Sequence, residues 1–292
     1  MANAPGGGAR PGGTGQASAG PGSAGPGSAG PGGAGPGGAG PGGAEPGGGG
    51  VGPGGGGRAG QGLRAAVLGV ARRMVADGLV IGTSGNVSAR AGDQIVITPS
   101  GRRYDTLEPA DLCVLRVTGE PVDLPLRPSS ELPMHLAAYQ ATGAGAVVHT
   151  HSMFATAVAT ASPELPAVHY TIGFLGGPVR VVPYATFGSA DLADGLREAL
   201  AGRHAALLQN HGVTAVGADV EQAYERARLV EWLAELYYRA SRLGAPRILS
   251  EAELAAFGEQ AAALDYGSNY PVPHDSGVSL RDEAAPYGEN GG

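Results

Sequence analysis

The sequence predicts a layered α/β domain spanning residues 63–265. Short apolar segments that are typical of buried strands lie at residues 95–98, 146–151, 179–183 and 206–209. Longer segments between and after them have apolar residues at helical spacing. The longest, residues 220–243, has two adjacent apolar stripes and therefore a wide face for packing against a sheet or another subunit. Short strands mixed with flanking helices are typical of layered α/β domains.

The first predicted element is a helix over residues 63–77, in which apolar residues recur at helical spacing. Gly78 follows it and is suited to ending a helix. A turn-rich segment at residues 82–88 then leads toward a strand. Further strands are predicted at residues 95–98 and 111–117.

The second predicted helix begins near Ser129 and ends near Thr142. Ser130 is predicted to be its N-cap, because a serine hydroxyl accepts a backbone hydrogen bond in the first turn. Pro133 is compatible with that first turn, whose N–H groups have no partner within the helix. The strand at residues 146–151 is followed by an alanine-rich helix.

Two terminal segments are predicted to lie outside the domain. Residues 1–62 are almost entirely glycine, proline, alanine and serine, with five-residue repeats. Such a composition cannot bury enough apolar surface to offset the entropy of ordering, so this segment is predicted to be a disordered tail. Residues 266–292 are polar and rich in glycine and proline, and are predicted to be a second tail.

Composition excludes several classes of function. The net charge of −7 argues against a nucleic-acid partner or an anionic membrane surface. No apolar segment has the roughly 20 residues of a membrane helix, and the N-terminus has no apolar signal region. Cys113 is the only cysteine, so a disulfide within the chain is impossible, which fits a reducing compartment. We therefore expect a cytoplasmic protein.

Three histidines form a candidate metal site. His149 and His151 are two residues apart on a predicted strand, where side chains at that spacing share a face. His211 follows another apolar strand and precedes a glycine, so it is a candidate third ligand. Nitrogen ligands of this kind suit zinc. Each histidine has an ordinary alternative, as a polar strand or turn residue, and His135 and His169 remain further candidates.

Glu131 and three loops form a candidate acid–anion site. Glu131 lies at a predicted helix start, where the helix dipole favours a negative charge, although acids are common there without a function. Small residues with free backbone N–H groups occur at residues 83–86, 98–101 and 129–130. Converging N–H groups and hydroxyls bind phosphate, especially at a helix start.

Eight segments together resemble the class II aldolase/adducin family. They occur in the family's order and cover the chain from about residue 63 to residue 264. The segments are GTSGNVSAR at 82–90, ITPSG at 97–101, PSSE at 128–131, MHLAAY at 134–139, VVHTH at 147–151, PAVHY at 166–170, PYATFG at 183–188 and LQNHG at 208–212.

The resemblance implies a three-layer α/β/α domain with a mostly antiparallel central sheet, assembled as a homotetramer. It implies one Zn²⁺ per subunit, bound by His149, His151 and His211, with Glu131 as a carboxylate that binds or leaves the metal. Tyr170 corresponds to a tyrosine that reaches a neighbouring subunit's site. The residues implied to bind phosphate are Thr83, Gly85, Asn86, Ser100, Gly101, Ser129 and Ser130.

The implied activity is retro-aldol cleavage of a ketose 1-phosphate, with L-fuculose 1-phosphate as the expected substrate and dihydroxyacetone phosphate and an aldehyde as products. Glu131 and Tyr170 are the expected catalytic residues. A related epimerase of L-ribulose 5-phosphate is an alternative, but the family pattern gives it an aspartate where this chain has Glu131. Other family members that act on deoxypentulose phosphates are a further alternative. A non-enzymatic adducin-like module is disfavoured, because the three histidines and Glu131 are all present.

Overall fold

A nine-stranded sheet is the centre of the computed structural model, which describes residues 56–267. The strands are β1 Asn86–Ala91, β2 Gln94–Ile97, β3 Cys113–Arg116, β4 Pro121–Asp123, β5 Ala146–Thr150, β6 Glu164–Leu165, β7 Val179–Val182, β8 Ala205–Leu208 and β9 Gly212–Gly217. Their order across the sheet is β4-β3-β2-β1-β5-β9-β8-β7-β6. Every neighbouring pair is antiparallel except β7 and β8, which are parallel.

Six α-helices accompany the sheet among the described residues. They are α1 Gly56–Ala76, α2 Leu132–Thr142, α3 Met153–Ala161, α4 Ala190–Ala199, α5 Val220–Leu243 and α6 Glu251–Ala263. Short 3₁₀ helices lie at Pro109–Asp111 and Tyr170–Leu175.

Two apolar cores, one on each face of the sheet, make the domain a three-layer α/β/α sandwich. Successive residues of a strand point to opposite faces, so Val147 and Val148 of β5 belong to different cores. Helices α1, α3 and α5 pack on one face, and α2 and α4 pack on the other. The predicted three-layer fold with a mostly antiparallel sheet is confirmed.

The first helix is longer than predicted. It begins at Gly56, so residues 56–62 lie in α1 rather than in the predicted tail. Composition alone disfavoured structure there, but a helix already anchored by packing gains one hydrogen bond for each residue added. The remainder of the predicted tails, residues 1–55 and 268–292, lies outside the described residues.

The start of α2 also differs from the prediction. The helix begins at Leu132, and Glu131 rather than Ser130 occupies the N-cap position without making a side-chain cap. Instead the hydroxyl of Ser129 accepts a hydrogen bond from the Glu131 N–H, 3.2 Å away. The Glu131 carboxylate is thereby left available for other partners.

Two smaller differences concern the end of one strand and the number of helices. Strand β5 ends at Thr150, so His151 lies just beyond the strand and not on it. Helices α4 and α6 were not predicted.

Among residues 56–267, no helix is both long and apolar enough to cross a membrane.

Candidate metal and phosphate site

The three predicted histidines converge at one end of the central strands of the sheet. His149 is in β5, His151 follows that strand, and His211 lies in the turn between β8 and β9. The Nε2 atoms of His149 and His151 are 3.0 Å apart. The three rings are arranged edge to face, with centroids 4.9 to 5.0 Å apart.

The tautomer of His149 is fixed by the adjacent strand. Its Nδ1 lies 2.8 Å from the carbonyl oxygen of Val213 in β9. A carbonyl can only accept, so Nδ1 carries a proton, and a ring protonated only there presents the Nε2 lone pair to the cluster. This is the usual way in which a protein orients a histidine that binds a metal.

The Glu131 carboxylate completes the group. Its Oε2 lies 3.2 Å from His149 Nε2, and its Oε1 lies 3.1 Å from His211 Nε2. Although close to His211, Oε1 receives no well-directed hydrogen bond, and the residue is buried, with 6% of its surface exposed. A buried carboxylate oxygen without such a partner is costly unless a cation satisfies it.

Charge and burial both shift pKa values in this cluster. Burial by itself would raise the pKa of Glu131, but the nearby His149 and His211 rings and the hydrogen bond from Asn86 hold it below its usual range. Burial, together with His149 and His211, lowers the pKa of His151 to about 4. The arrangement therefore favours an ionised carboxylate beside a neutral His151 ring, as metal binding requires.

These distances fit a bound divalent ion. The four ligand atoms lie within 4.8 Å of one another. Ligands about 2 Å from a tetrahedral ion are separated by roughly 3.3 Å, and the close contacts here are 3.0 to 3.2 Å. With its proton on Nδ1, His149 can only accept at Nε2, either from His151 or from a cation bound between them. The residues present thus fit a metal with three nitrogen ligands and one oxygen ligand.

A cavity of about 310 Å³ opens beside this group. Glu131, His151 and His211 line it, whereas His149 is fully buried behind them. All seven residues predicted to bind phosphate also line it, namely Thr83, Gly85, Asn86, Ser100, Gly101, Ser129 and Ser130. The cavity therefore joins the two candidate sites that the sequence suggested separately.

Gly85 shows why a glycine is required in the first of these loops. Its φ is +74°, which is unfavourable for other residues. A β-carbon there would lie 2.8 Å from the His149 carbonyl oxygen and 2.5 Å from the side chain of Val80. The hydroxyl of buried Tyr104 donates to the Gly85 carbonyl over 2.6 Å, and burial raises the pKa of Tyr104 to about 12. The loop is held closely against a metal ligand.

Tyr170, the other predicted catalytic residue, does not line this cavity of its own chain. Its ring is exposed and packs against His169 and Phe257, with centroids 4.3 and 4.9 Å away. The structure thus brings together every predicted site residue except Tyr170. Its expected place in a neighbouring subunit's site is compatible with this exposure.

The sequence named Asn86 for phosphate and His135 as a further ligand candidate, but it did not predict that they form a layer of polar residues behind Glu131, with His135 outside the metal-binding group. Asn86 donates from Nδ2 to Glu131 Oε2 over 2.8 Å, and its Oδ1 lies 2.5 Å from Nε2 of fully buried His135. Burial, with a smaller effect of His149, lowers the pKa of His135 to about 3. His135 was visible in the sequence as a polar residue of the MHLAAY segment, on an otherwise apolar helix face. Tyr184 and Phe187 of the PYATFG segment, which line the cavity, were also not assigned a role.

Comparison with known proteins finds one family model and several relatives that match most of the domain. The profile of the Class II Aldolase and Adducin N-terminal domain matches residues 65–238. A 5-deoxy-D-ribulose 1-phosphate aldolase from Bacillus thuringiensis is 39% identical over 194 residues, which are 65% of this chain and 91% of that protein. An L-fuculose phosphate aldolase from Escherichia coli O6:H1 is 39% identical over 201 residues, 68% of this chain and 93% of that protein.

A solved structure of an L-fuculose 1-phosphate aldolase has a similar fold. It superimposes with a TM-score of 0.66 at 33% sequence identity and covers 68% of this chain and 96% of its own.

Proposed function

Because the chain belongs to the class II aldolase and adducin family, whose aldolases are metal-dependent aldehyde-lyases, we propose that it is a zinc enzyme that cleaves a ketose 1-phosphate to dihydroxyacetone phosphate and an aldehyde. One observation carries the proposal. A group of three histidines and Glu131 borders the cavity that the seven predicted phosphate-binding residues line. A sugar phosphate held by those loops would have its carbonyl end near the histidines.

Zinc is proposed from the chemistry of the ligand set. Three neutral imidazoles and one displaceable carboxylate are typical of catalytic rather than structural zinc sites. When bound, the ion supplies Lewis-acid stabilisation of the negative charge that develops when the carbon–carbon bond breaks. His149, His151 and His211 would hold it.

The side chains of this chain would supply binding and proton transfer. Backbone N–H groups and hydroxyls of the three loops hold the phosphate and orient the reacting bond. Glu131 acts as the proton-transfer group at the carbon that becomes electron-rich when the carbon–carbon bond breaks. Tyr170, contributed by a neighbouring copy, is the proton donor or acceptor for the aldehyde oxygen. This last role requires an oligomer, and we propose a homotetramer in the cytoplasm.

Two candidate substrates differ in the half that is released as the aldehyde. L-Fuculose 1-phosphate is the first, and 5-deoxyribulose 1-phosphate is the second. The second is supported by the relative named for it, which is as similar, at 39% identity, as the relative named for fuculose phosphate. Both substrates would give dihydroxyacetone phosphate through the same steps, so the proposed roles of Glu131 and the histidines do not depend on the choice.

The test is release of dihydroxyacetone phosphate from each sugar phosphate, measured before chelation, after chelation and after zinc is restored. Release that chelation abolishes and zinc restores is expected, and the ratio of kcat/KM values identifies the preferred substrate. Release unaffected by chelation would overturn the metal assignment. If zinc-loaded protein releases no product from either substrate, the aldolase proposal is wrong, and epimerisation of L-ribulose 5-phosphate becomes the reaction to assay.

A further inference from the structure

A buried chain of hydrogen bonds runs from the Glu131 carboxylate into the core. Its members, in order from the site inward, are Glu131, Asn86, His135, Ser88 and Tyr139. The four contacts measure 2.8, 2.5, 2.7 and 2.7 Å. All five residues are at least nine-tenths buried, and His135 and Ser88 are fully buried.

The direction of every bond in this chain follows from its first member. An ionised carboxylate only accepts, so Asn86 must present its NH₂ group to Glu131 and its Oδ1 to His135. Amide oxygen only accepts, so His135 must donate from Nε2. A neutral ring with its proton on Nε2 then accepts at Nδ1 from Ser88, and Ser88 accepts from Tyr139. One arrangement of protons satisfies all of these groups.

We propose that His135 is a positioning residue for Glu131, acting through Asn86. Its Nε2–H selects the orientation of the Asn86 amide in which the NH₂ group faces Glu131. In the opposite orientation the amide oxygen would face Oε2, and two acceptors would repel each other. Because Oε2 is held by Asn86, Oε1 is the carboxylate oxygen left without a directed hydrogen bond.

The sheet register makes this selection possible. Asn86 of β1 is paired with His149 of β5, so the amide lies directly beside a predicted metal ligand. His135 lies one helical turn after Glu131 on α2, and i and i+4 side chains share a face of a helix. Helix and strand thus bring the two ends of the Asn86 amide to Glu131 and His135. The inference rests on the proposed role of Glu131, because holding one of its oxygens matters only if the other acts.

The experiment compares His135→Asn with His135→Gln in the full, zinc-loaded chain. Asparagine is too short to place an NH₂ group where Nε2 lies, whereas glutamine is one carbon longer and can reach Asn86. His135→Asn is expected to lower kcat by about 10- to 100-fold, as loss of an outer partner in a metal site does. KM should change little, because the phosphate loops are intact, and His135→Gln should recover most of kcat. Equal turnover of both variants and the wild type, with zinc retained, would overturn the proposal.

A second measurement needs neither substrate nor turnover. Nitrogen NMR of ¹⁵N-histidine-labelled wild-type protein at neutral pH reports which ring nitrogen of His135 carries the proton, with its signal identified by through-space contacts to Ser88 and Tyr139. Protonation at Nε2 alone is expected, and protonation at Nδ1 alone would contradict the inference even if the variants fail to fold. An inactive wild-type protein with an Nε2 proton on His135 would count against the proposed aldolase activity and leave the positioning geometry standing.

Discussion

Gly212 lies directly beside the ring of His151, and the ring has room there because position 212 carries no side chain. A β-carbon placed on Gly212 would lie 3.1 Å from Cδ2 of His151 and 2.1 Å from the carbonyl oxygen of Thr150. The second distance is far inside van der Waals contact, and backbone cannot move aside cheaply. The first residue of β9 therefore limits where a predicted metal ligand can lie.

Gly212→Ala should consequently reduce zinc bound per chain and lower the free energy of unfolding by about 1–3 kcal/mol. Zinc analysis and denaturant unfolding measure the two effects. Gly69→Ala is the matched control, since a β-carbon at that helical position meets nothing within 4 Å, and alanine there should be neutral or stabilising. Full zinc occupancy in Gly212→Ala would show that the crowding does not reach His151.

Glu131→Gln should separate metal binding from turnover. The amide keeps the size of the side chain and three histidines remain, so zinc should stay bound, while loss of the proton-transfer group should lower kcat by about 10²- to 10⁴-fold. Glu120→Gln, at an exposed acid with only a 3.8 Å ion pair to Arg116, is the control. Wild-type turnover in Glu131→Gln would remove this residue from the mechanism.

His151→Ala should lose zinc outright. The variant leaves only two imidazoles as permanent ligands, because the Glu131 carboxylate is proposed to leave the metal, and a catalytic zinc site normally keeps three protein ligands. Metal content after dialysis, compared with that of His169→Ala, measures the effect, because His169 lies outside the group of converging ligands. Equal zinc in both variants would refute the ligand assignment.

Glu231 of α5 caps the helix that follows His151. Its two carboxylate oxygens accept hydrogen bonds from the N–H groups of Phe154 and Ala155, over 2.9 and 2.8 Å, whereas the N-cap residue Ser152 makes no side-chain cap. Glu231→Ala should therefore lower the free energy of unfolding by about 1–2 kcal/mol and weaken zinc binding through His151.

Glu235→Ala controls for the loss of a carboxylate from the same helix, because Glu235 only pairs with the exposed Arg239 one turn later. Such a surface pair contributes at most about 0.5 kcal/mol. If the two variants unfold at the same denaturant concentration, the cap has no energetic role.

Tyr170 can be tested by mixing subunits. If it acts in a neighbouring subunit's site, Tyr170→Phe and Glu131→Gln chains, each nearly inactive alone, should regain activity when assembled together. Random assembly of equal amounts would give about a quarter of the sites both an intact Glu131 and an intact neighbouring Tyr170. Activity is measured after unfolding and refolding the mixture, with separately refolded chains as the control. No recovery in verified mixed oligomers would place Tyr170 outside the neighbouring site.

Sequence patterns alone predicted the elements and residues whose signals are local. The period-two spacing of His149 and His151 and the glycine after His211 depend only on nearby residues, and the structure brings these histidines together with Glu131. The small-residue loops were recognised for the same reason, and all seven residues line one cavity. Long apolar periodicity likewise predicted α5 with its observed ends.

Tertiary structure decided the contacts between polar groups that are distant in sequence. Asn86 and His135 are 49 residues apart, and Phe154 and Glu231 are 77 apart. Such contacts depend on strand register and on the rotation of one helix against another. The spacing of apolar residues within a short segment contains no information about either. The position of Glu131 at the N-cap was missed for a related reason. Its carboxylate lies beside His149 of β5 and His211 of the β8–β9 turn instead of capping the helix. These alternative partners come near Glu131 only once the chain has folded.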